Sequence, residues 1–220
     1  MLSRRNLMLG GIALASSGAT HDAALAMAVP SPGLLHFDVL RNDNRIGEHV
    51  VRLIGSGTTM RAEISVEIAV GFGPITVFRY THAVREEWRD GQFQRMESRT
   101  NDDGTLHHVR AERVTEGVLV QRGGGEKIVL AADTIPLTHW NYRCTRAPLF
   151  NPQTGILLNL TVQPRAAEMI ELGAGRMARA RRYSLVGETT LDSWYDDKDA
   201  WTALRSAGRD GSTISYRRSA

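Results

Sequence analysis

Cysteine is nearly absent from this sequence, and the shortage excludes two classes of protein. Among the 220 residues there is one cysteine, Cys144. A single cysteine forms no disulfide within the chain and no multi-cysteine zinc site. We expect Cys144 to be a small buried apolar residue and not a reactive thiol. Aromatic residues are also scarce, at 6%, whereas the 21 glycines indicate many turns.

An excess of charge of one sign is also missing. The 27 lysines and arginines nearly balance the 24 aspartates and glutamates, for a net charge of +3. Nucleic-acid-binding domains carry a basic face, so the balance gives no reason to expect a nucleic-acid partner. The apolar fraction of 42% and the charged fraction of 23% are ordinary for a folded chain. This composition argues against a disordered, collagen-like or coiled-coil protein.

Long hydrophobic runs are lacking too, and the clearest apolar segment lies near the N-terminus. Residues 7–19 form an uncharged stretch of about 13 residues, fewer than the roughly 20 of a membrane-spanning helix. Arg4 and Arg5 precede this stretch, and Ala26-Met27-Ala28 follows as a small-x-small cleavage site. The pattern is that of an export signal. Ser3-Arg4-Arg5-Asn6-Leu7 resembles the twin-arginine version, and an ordinary secretory signal is the alternative.

We therefore expect residues 1–28 to engage the export machinery and to be cleaved. Residues 29–220 would form the mature protein, located in the periplasm or secreted. We expect no transmembrane span in this mature chain.

The remaining sequence has a period of two. In the segment 60–70 every even position is apolar, and the odd positions include Arg61, Glu63 and Glu67. This alternation predicts a strand with one buried and one solvated face. Comparable runs between Gly, Asn or Asp turns predict further strands joined by hairpins. The predicted strands span residues 35–41, 46–54, 60–70, 76–88, 93–100, 105–114, 118–122, 156–162, 168–172, 177–186, 189–195, 200–206 and 212–217.

The alternation lapses between residues 131 and 155, where Pro136, Pro148 and Pro152 lie. We predict an irregular crossing segment there, with a short helical turn near residues 147–151. About a dozen strands exceed what a flat open sheet tolerates. The prediction is an all-β fold of one domain, residues 29–220, in which a single large curved antiparallel meander closes into a barrel or half-barrel.

Three candidate binding residues lie on one predicted strand. The period of two places His82, Glu86 and Trp88 on the same face of the strand at 76–88. A histidine and a carboxylate on an aromatic face cost desolvation energy unless they are paired or wet. His82 and Glu86 are about 13 Å apart along a strand, so each would meet a ligand or a partner from another strand. The alternative is a satisfied polar network in the core.

The other candidates, His139, Trp140 and Asn141, are in the crossing segment. Loops on a rigid scaffold often carry function. A histidine beside an indole and a carboxamide could bind a polar ring or transfer protons. The alternative is that Trp140 anchors the segment while Asn141 bonds backbone groups.

Four arginines cluster near the strand predicted at 177–186, namely Arg176, Arg179, Arg181 and Arg182. Such a cluster could recognise phosphate or carboxylate. Because strand parity puts the four on two faces, we predict a solvated outer surface instead.

The sequence contains neither the Gly-x-Ser-x-Gly elbow of α/β-hydrolases nor the His-Glu-x-x-His motif of zinc proteases. The adjacent His107 and His108 would face opposite sides of a strand and could not share a metal. No sequence feature identifies a cofactor, a metal or a catalytic residue.

Seven short strings combine turns with apolar or aromatic strand residues. They are Phe37-Asp38-Val39, Arg45-Ile46-Gly47, Glu87-Trp88-Arg89-Asp90-Gly91, Asn101-Asp102-Asp103-Gly104, Trp140-Asn141, Leu185-Val186-Gly187 and Trp194-Tyr195-Asp196. A chain with these strings resembles a family of exported bacterial β-proteins catalogued only as a domain of unknown function. The resemblance covers nearly the whole mature chain. It implies a layout similar to periplasmic half-barrel proteins that wrap a sheet around an apolar groove, and it implies no activity or ligand.

Three functional hypotheses follow. The first is a non-catalytic exported protein that binds a lipid-like or amphipathic small molecule, or an envelope partner, in an apolar groove. The second is a periplasmic hydrolase or isomerase with acid/base residues in the barrel mouth. It requires His82 or Glu86 to come within hydrogen-bond reach of residues 138–142. The third is a structural envelope protein whose interior is filled by side chains and whose apolar patch lies outside.

Overall fold

The computed structural model describes residues 33–72, 75–208 and 210–219. The predicted export signal lies outside the described residues. The first eight strands are β1 Gly33–Arg41, β2 Asn44–Ser56, β3 Thr59–Phe72, β4 Ile75–Arg89, β5 Gln92–Asp102, β6 Thr105–Val114, β7 Gly117–Arg122 and β8 Lys127–Leu130. In the crossing segment lie β9 Ile135–Pro136, a 3-10 turn at Tyr142–Thr145, β10 Leu149–Phe150 and β11 Leu157–Leu158. The last strands are β12 Leu160–Glu171, β13 Met177–Gly187, β14 Thr190–Tyr195, β15 Trp201–Ala207 and β16 Thr213–Arg218, with a second 3-10 turn at Gly173–Gly175.

Thirteen of these strands form one antiparallel sheet. Its order is β12-β13-β14-β15-β16-β1-β2-β3-β4-β5-β6-β7-β8, so the last strand pairs with the first. Val39 of β1 lies opposite Tyr216 of β16. The sheet is not closed, since β8 and β12 are its two edges. The prediction of an all-β antiparallel meander is confirmed.

Tight turns connect the strands where the sequence predicts them. Asn42 and Asp43 have φ angles of 46° and 66°, and Asp90-Gly91 and Asp103-Gly104 also have positive φ angles. Asn, Asp and Gly tolerate this left-handed region, which matches the right-handed twist of a hairpin.

The sheet curves around the crossing segment. Trp140 of that segment bonds to Glu86 on β4, while the adjacent His139 accepts a hydrogen bond from Tyr195 on β14. These two strands are six places apart in the sheet, which would separate them by roughly 29 Å if the sheet were flat. One short segment can contact both only because the sheet bends around it.

The crossing segment departs from the prediction in detail. The helical turn is at Tyr142–Thr145, and residues 147–151 instead contain β10. The Asn141 side chain accepts a hydrogen bond from the Arg143 N–H and so begins the turn earlier, as a capping residue does. β10 pairs in parallel with β9, and both of its residues are buried.

The strands of the structure also differ from the predicted ones in three places. The short strand β8 is missing from the prediction, because it has four residues, three of them exposed, and therefore lacks a clear alternation. The predicted strand at 156–162 is interrupted at Asn159, which separates β11 from β12. β12 then runs past Pro164 with a register irregularity and includes the predicted strand at 168–172. Among the described residues, no helix has the length and apolar character needed to cross a membrane.

Candidate functional site

A buried carboxyl group joins β4 to the crossing segment. Glu86 is fully buried. Its Oε2 accepts hydrogen bonds from Trp88 Nε1 at 2.7 Å and from Trp140 Nε1 at 3.2 Å. The two indole rings meet edge to face, with centroids 5.6 Å apart. Three of the predicted site residues, Glu86, Trp88 and Trp140, are therefore brought together in one hydrogen-bonded cluster.

The environment of Glu86 favours its neutral form. Burial raises its pKa to about 7, although the neighbouring Thr138, Trp88 and Trp140 side chains act in the opposite direction. Both indole bonds go to Oε2, and Oε1 is buried without a well-aligned hydrogen bond to any described residue. The carboxyl group is near half-protonation at neutral pH, because the effect of desolvation on its pKa outweighs that of the indole N–H donors.

Asn141 has a local structural role. It is 2% exposed, and its Oδ1 accepts the backbone N–H of Arg143. The sequence analysis gave this role, bonding to backbone groups, as the alternative to ligand binding by Asn141. Trp140, 3% exposed, anchors the segment as its own alternative predicts. Cys144 is buried, as predicted.

Beside this cluster lies a cavity of about 550 Å³. Six apolar side chains form much of its wall, namely Ile64, Val66, Leu137, Leu158, Leu191 and Leu204. Three histidines and two tyrosines also line it, namely His49, His82, His139, Tyr80 and Tyr216. The other polar lining residues are Thr138, Asn151, Gln153, Thr154, Glu188 and Thr189. Apolar side chains with hydrogen-bonding groups among them are found in small-molecule sites.

His82 reaches the cavity from β4. Its Nδ1 lies 2.7 Å from the Thr100 hydroxyl of β5, which fixes the orientation of the ring. The Tyr80 ring is next to it, at 6.2 Å between centroids, and the Tyr80 hydroxyl donates to Gln153 of the crossing segment. Burial lowers the pKa of His82 to about 4, so the ring is neutral at neutral pH.

His139 lines the cavity from the crossing segment. Its φ angle is 62°, in the left-handed region, and its ring stacks on Trp201 at 5.4 Å. Burial lowers its pKa to about 4. Its backbone carbonyl oxygen accepts a hydrogen bond from the Tyr195 hydroxyl at 2.9 Å, which helps to hold the residue in this conformation.

His49 is a cavity residue that the sequence analysis did not single out. It lies on β2 against the rings of Phe37, Trp201 and Tyr216, at 5.1 to 6.1 Å between centroids. Burial, with smaller effects from His139 and His82, lowers its pKa to about 3. Its position in the alternation, two before Val51 and four before Leu53, was the available signal, because it assigns His49 to the buried face.

The six predicted residues therefore fall into two groups. His82 and His139 line the cavity, whereas Glu86, Trp88, Trp140 and Asn141 do not. Over the described residues, no group of three or more His, Cys, Asp or Glu side chains is arranged to hold a metal ion.

The arginine-rich strand β13 is not uniformly solvated. Arg181 shares a face with Tyr183, and its guanidinium lies over the Tyr142 ring of the crossing segment, 5.2 Å from the centroid. Arg146 lies over the same ring at 5.1 Å. The Arg181 side chain is 40% exposed, and it is only partly solvated because its parity points it toward the crossing segment.

Comparisons with known proteins give a family and a fold. A family described as a domain of unknown function, DUF6134, matches residues 37–219. A search of the curated proteins found no match. Among solved structures, the chain is similar to a beta-barrel-like protein of domain of unknown function DUF1849 from Brucella abortus. The TM-score is 0.56 at 10% identity, over 85% of this chain and 95% of that one.

This likeness supports the barrel-like fold alone. The family match confirms the predicted membership of a β-rich group without known function. Because the family matches residues 37–219, which are most of the sequence, the chain belongs to the DUF6134 family.

Proposed function

We propose that this protein is an exported binding protein whose cavity holds a lipid-like or other amphipathic small molecule. The observation that carries the proposal is the cavity of about 550 Å³ between the inner face of the sheet and the crossing segment. Its volume falls in the range of roughly 300 to 1,000 Å³ typical of ligand pockets. Its wall combines apolar side chains with hydrogen-bonding groups, which suits a molecule with an apolar body and a polar end.

The decisive experiment is to identify what the protein carries. Purified protein expressed with its signal would be extracted with organic solvent, and the extract analysed by mass spectrometry. A molecule present in stoichiometric amount supports the proposal. An extract with no such molecule, together with no uptake of added amphiphiles by the extracted protein, contradicts it.

Adjacent residues on β14 provide a matched pair of variants. Leu191 lines the cavity, whereas its neighbour Thr190 is exposed on the other face. Leu191→Trp would fill part of the cavity and reduce the amount of bound molecule. Thr190→Trp adds the same side chain outside the cavity and should leave that amount unchanged.

The export part of the proposal rests on the sequence of residues 1–28. Full-length protein expressed in a bacterium with a twin-arginine pathway should appear shortened in the periplasm. Replacement of both Arg4 and Arg5 by lysine should retain the uncleaved form in the cytoplasm. Periplasmic delivery of that double variant would indicate the ordinary secretory route.

A periplasmic hydrolase or isomerase is the second candidate. One observation favours it: Glu86 is within hydrogen-bond reach of Trp140, as this hypothesis requires. However, both carboxyl oxygens of Glu86 are enclosed and neither borders the cavity. An acid/base role would fall to His82 and His139, and both pKa values are lowered by burial to about 4. Such weak bases are poorly matched to proton transfer at neutral pH, which favours the binding protein.

A further inference from the structure

The charges around the cavity restrict which molecule it can hold. Of the described residues that line it, none is lysine or arginine, and Glu188 is the one carboxylic acid. A bound carboxylate or phosphate would lose its hydration without gaining a cationic partner, which is strongly unfavourable. An anionic ligand is therefore poorly matched to this wall.

The histidines do not supply the missing positive charge. Burial lowers the pKa of His49 to about 3 and those of His82 and His139 to about 4. Protonating any of them would place a cation in a desolvated environment. At neutral pH each ring instead offers one N–H donor and one nitrogen acceptor.

His82 is the best placed of the three to contact a ligand. Its Nδ1 is engaged by Thr100, so the ring is held in one orientation. Its Nε2 has no hydrogen-bond partner among the described residues and is not one of the fully enclosed polar atoms. His49 differs, because both of its ring nitrogens are enclosed among aromatic rings.

We infer that the cavity takes an amphipathic molecule without an anionic group, with an apolar body and a hydroxyl, ester or carbonyl group bound by His82 Nε2. The inference rests on the proposed function and narrows it to a ligand class. A neutral imidazole can serve either a hydroxyl donor or a carbonyl acceptor, depending on its tautomer.

The test compares two probes with the same chain and different polar ends, 1-decanol and decanoate. Binding to solvent-extracted protein would be measured by isothermal titration calorimetry at about pH 8, where the carboxylate is ionised. We expect 1-decanol to bind at least about tenfold more tightly than decanoate, as unpaired burial of a charge costs more than a hydrogen bond returns. Equal binding, or tighter binding of decanoate, would overturn the inference while leaving a binding protein in place.

Variants locate the bound polar end. His82→Leu should weaken 1-decanol binding about five- to tenfold, as expected for one lost hydrogen bond. His82→Gln, which keeps a hydrogen-bonding group, should recover part of the affinity. His36→Leu, on β1 and outside both this cavity and the second one described below, should change nothing. Unchanged affinity in a folded His82→Leu protein would refute the role of His82.

A second cavity makes one further control necessary. His82 also borders a space of about 640 Å³ that is lined by residues of β3, β4, β5 and β6, among them Arg99. Leu191→Trp obstructs the first cavity alone, because Leu191 does not line the second. Loss of 1-decanol binding in this variant assigns the probe to the first cavity. Retained binding would contradict that assignment, and failure of both probes to bind the folded wild-type protein would overturn the proposed function itself.

Discussion

At the scale of single residues, the inner face contains ionisable groups whose charged forms are disfavoured by desolvation. Glu86 is completely buried, and His49 and His82 are 6% and 8% exposed. Burial acts in opposite directions on the two types, because the charged form is the protonated one in histidine and the deprotonated one in glutamate. The pKa of Glu86 is raised and those of the histidines are lowered.

Glu86 should make the folded state less stable as the pH rises. Its folded pKa of about 7 lies above the ordinary 4.5, so its favourable contribution is complete below 4.5 and is lost as the pH rises through 7. Glu86→Gln keeps an oxygen for the two indoles and removes the titration. Between about pH 5 and about pH 8 the stability of this variant should rise by about 2 kcal/mol relative to the wild type.

Urea unfolding at the two pH values measures this difference. Glu87→Gln is the matched control on the same strand. The hydrogen bond from Arg95 lowers the pKa of Glu87. Its effect on the pH dependence of stability is therefore confined to pH values near and below 4.5, and the variant should not gain stability relative to the wild type between about pH 5 and about pH 8. Parallel pH profiles for Glu86→Gln and the wild type would show that Glu86 is not desolvated.

His49 should make the protein sensitive to acid. Its folded pKa of about 3 lies below the ordinary 6.5, so its contribution to stability is complete above 6.5 and is lost progressively as the pH falls toward 3. His49→Phe removes this loss and places a ring among the aromatic neighbours. From about pH 6.5 to about pH 4.5 the variant should lose about 2 kcal/mol less stability than the wild type.

Acid titration followed by near-ultraviolet circular dichroism would locate the unfolding midpoint of each protein. The half-exposed His36, which pairs with Glu48 on the outer part of the sheet, provides a His→Phe control. An unchanged midpoint for His49→Phe would contradict the assignment of His49 to the acid response.

At the scale of elements, the crossing segment is the part that organises the interior. It contacts β4 through Trp140 and β14 through His139. Ser98 of β5 also donates a hydrogen bond to the Pro152 carbonyl at 2.5 Å. Polar contacts along its length compensate the backbone groups of a segment with little regular structure, as buried polar groups require.

Removing one of these contacts should loosen the segment more than the sheet. Trp140→Phe keeps the ring and deletes the N–H that bonds to Glu86 Oε2. We expect a loss of about 1 to 2 kcal/mol in the free energy of unfolding and faster amide exchange in residues 134–150. Hydrogen exchange with mass spectrometry measures the exchange rates of the crossing segment and of the sheet separately.

Trp194→Phe is the comparison variant. Its indole also donates to a carboxylate, that of Glu168, but this group is 45% exposed. Water can replace that bond, so exchange in the crossing segment should stay at the wild-type rate. If amide exchange in Trp140→Phe became faster by the same factor in the crossing segment and in the sheet, Trp140 would not be a local anchor of the segment.

The sequence predicts the sheet better than the segment, for a physical reason. Alternation along β3 or β4 repeats one simple environment, in which one face is wet and the other dry, and Asp-Gly turns mark the ends. In the crossing segment each residue has a different partner, many positions away in sequence. Nothing near Trp140 in the chain indicates that its partner is Glu86. The same limit applies to the site, because His82 and His139 were available as candidates but the wall that they share forms only after folding.

At the scale of the whole molecule, stability depends on the pairing that joins the first strand to the last. β16 lies between β15 and β1, with Ser215 opposite both Arg205 and Leu40. Proline in a central strand removes a ladder hydrogen bond and is poorly tolerated, whereas an edge strand accommodates it better. Ser215→Pro should therefore prevent cooperative folding.

Val129→Pro on the edge strand β8 is the matched change. Val129 pairs with Leu119 on one side and with no sheet strand on the other. We expect this variant to remain folded with a modest loss of stability, measured by urea unfolding. A cooperative transition for Ser215→Pro similar to that of Val129→Pro would show that the two halves of the sheet hold together without the closing pair.

The closing pair also constrains when the fold can be completed. β16 is made by the ribosome after every other described strand, yet it is the hydrogen-bonding neighbour of β1, the earliest of them. Until β16 emerges, β1 and β15 each have one edge without a strand partner. The complete sheet can therefore form only after β16 has been synthesised, and a chaperone that shields β1 until then would protect an intermediate with an unpaired strand edge.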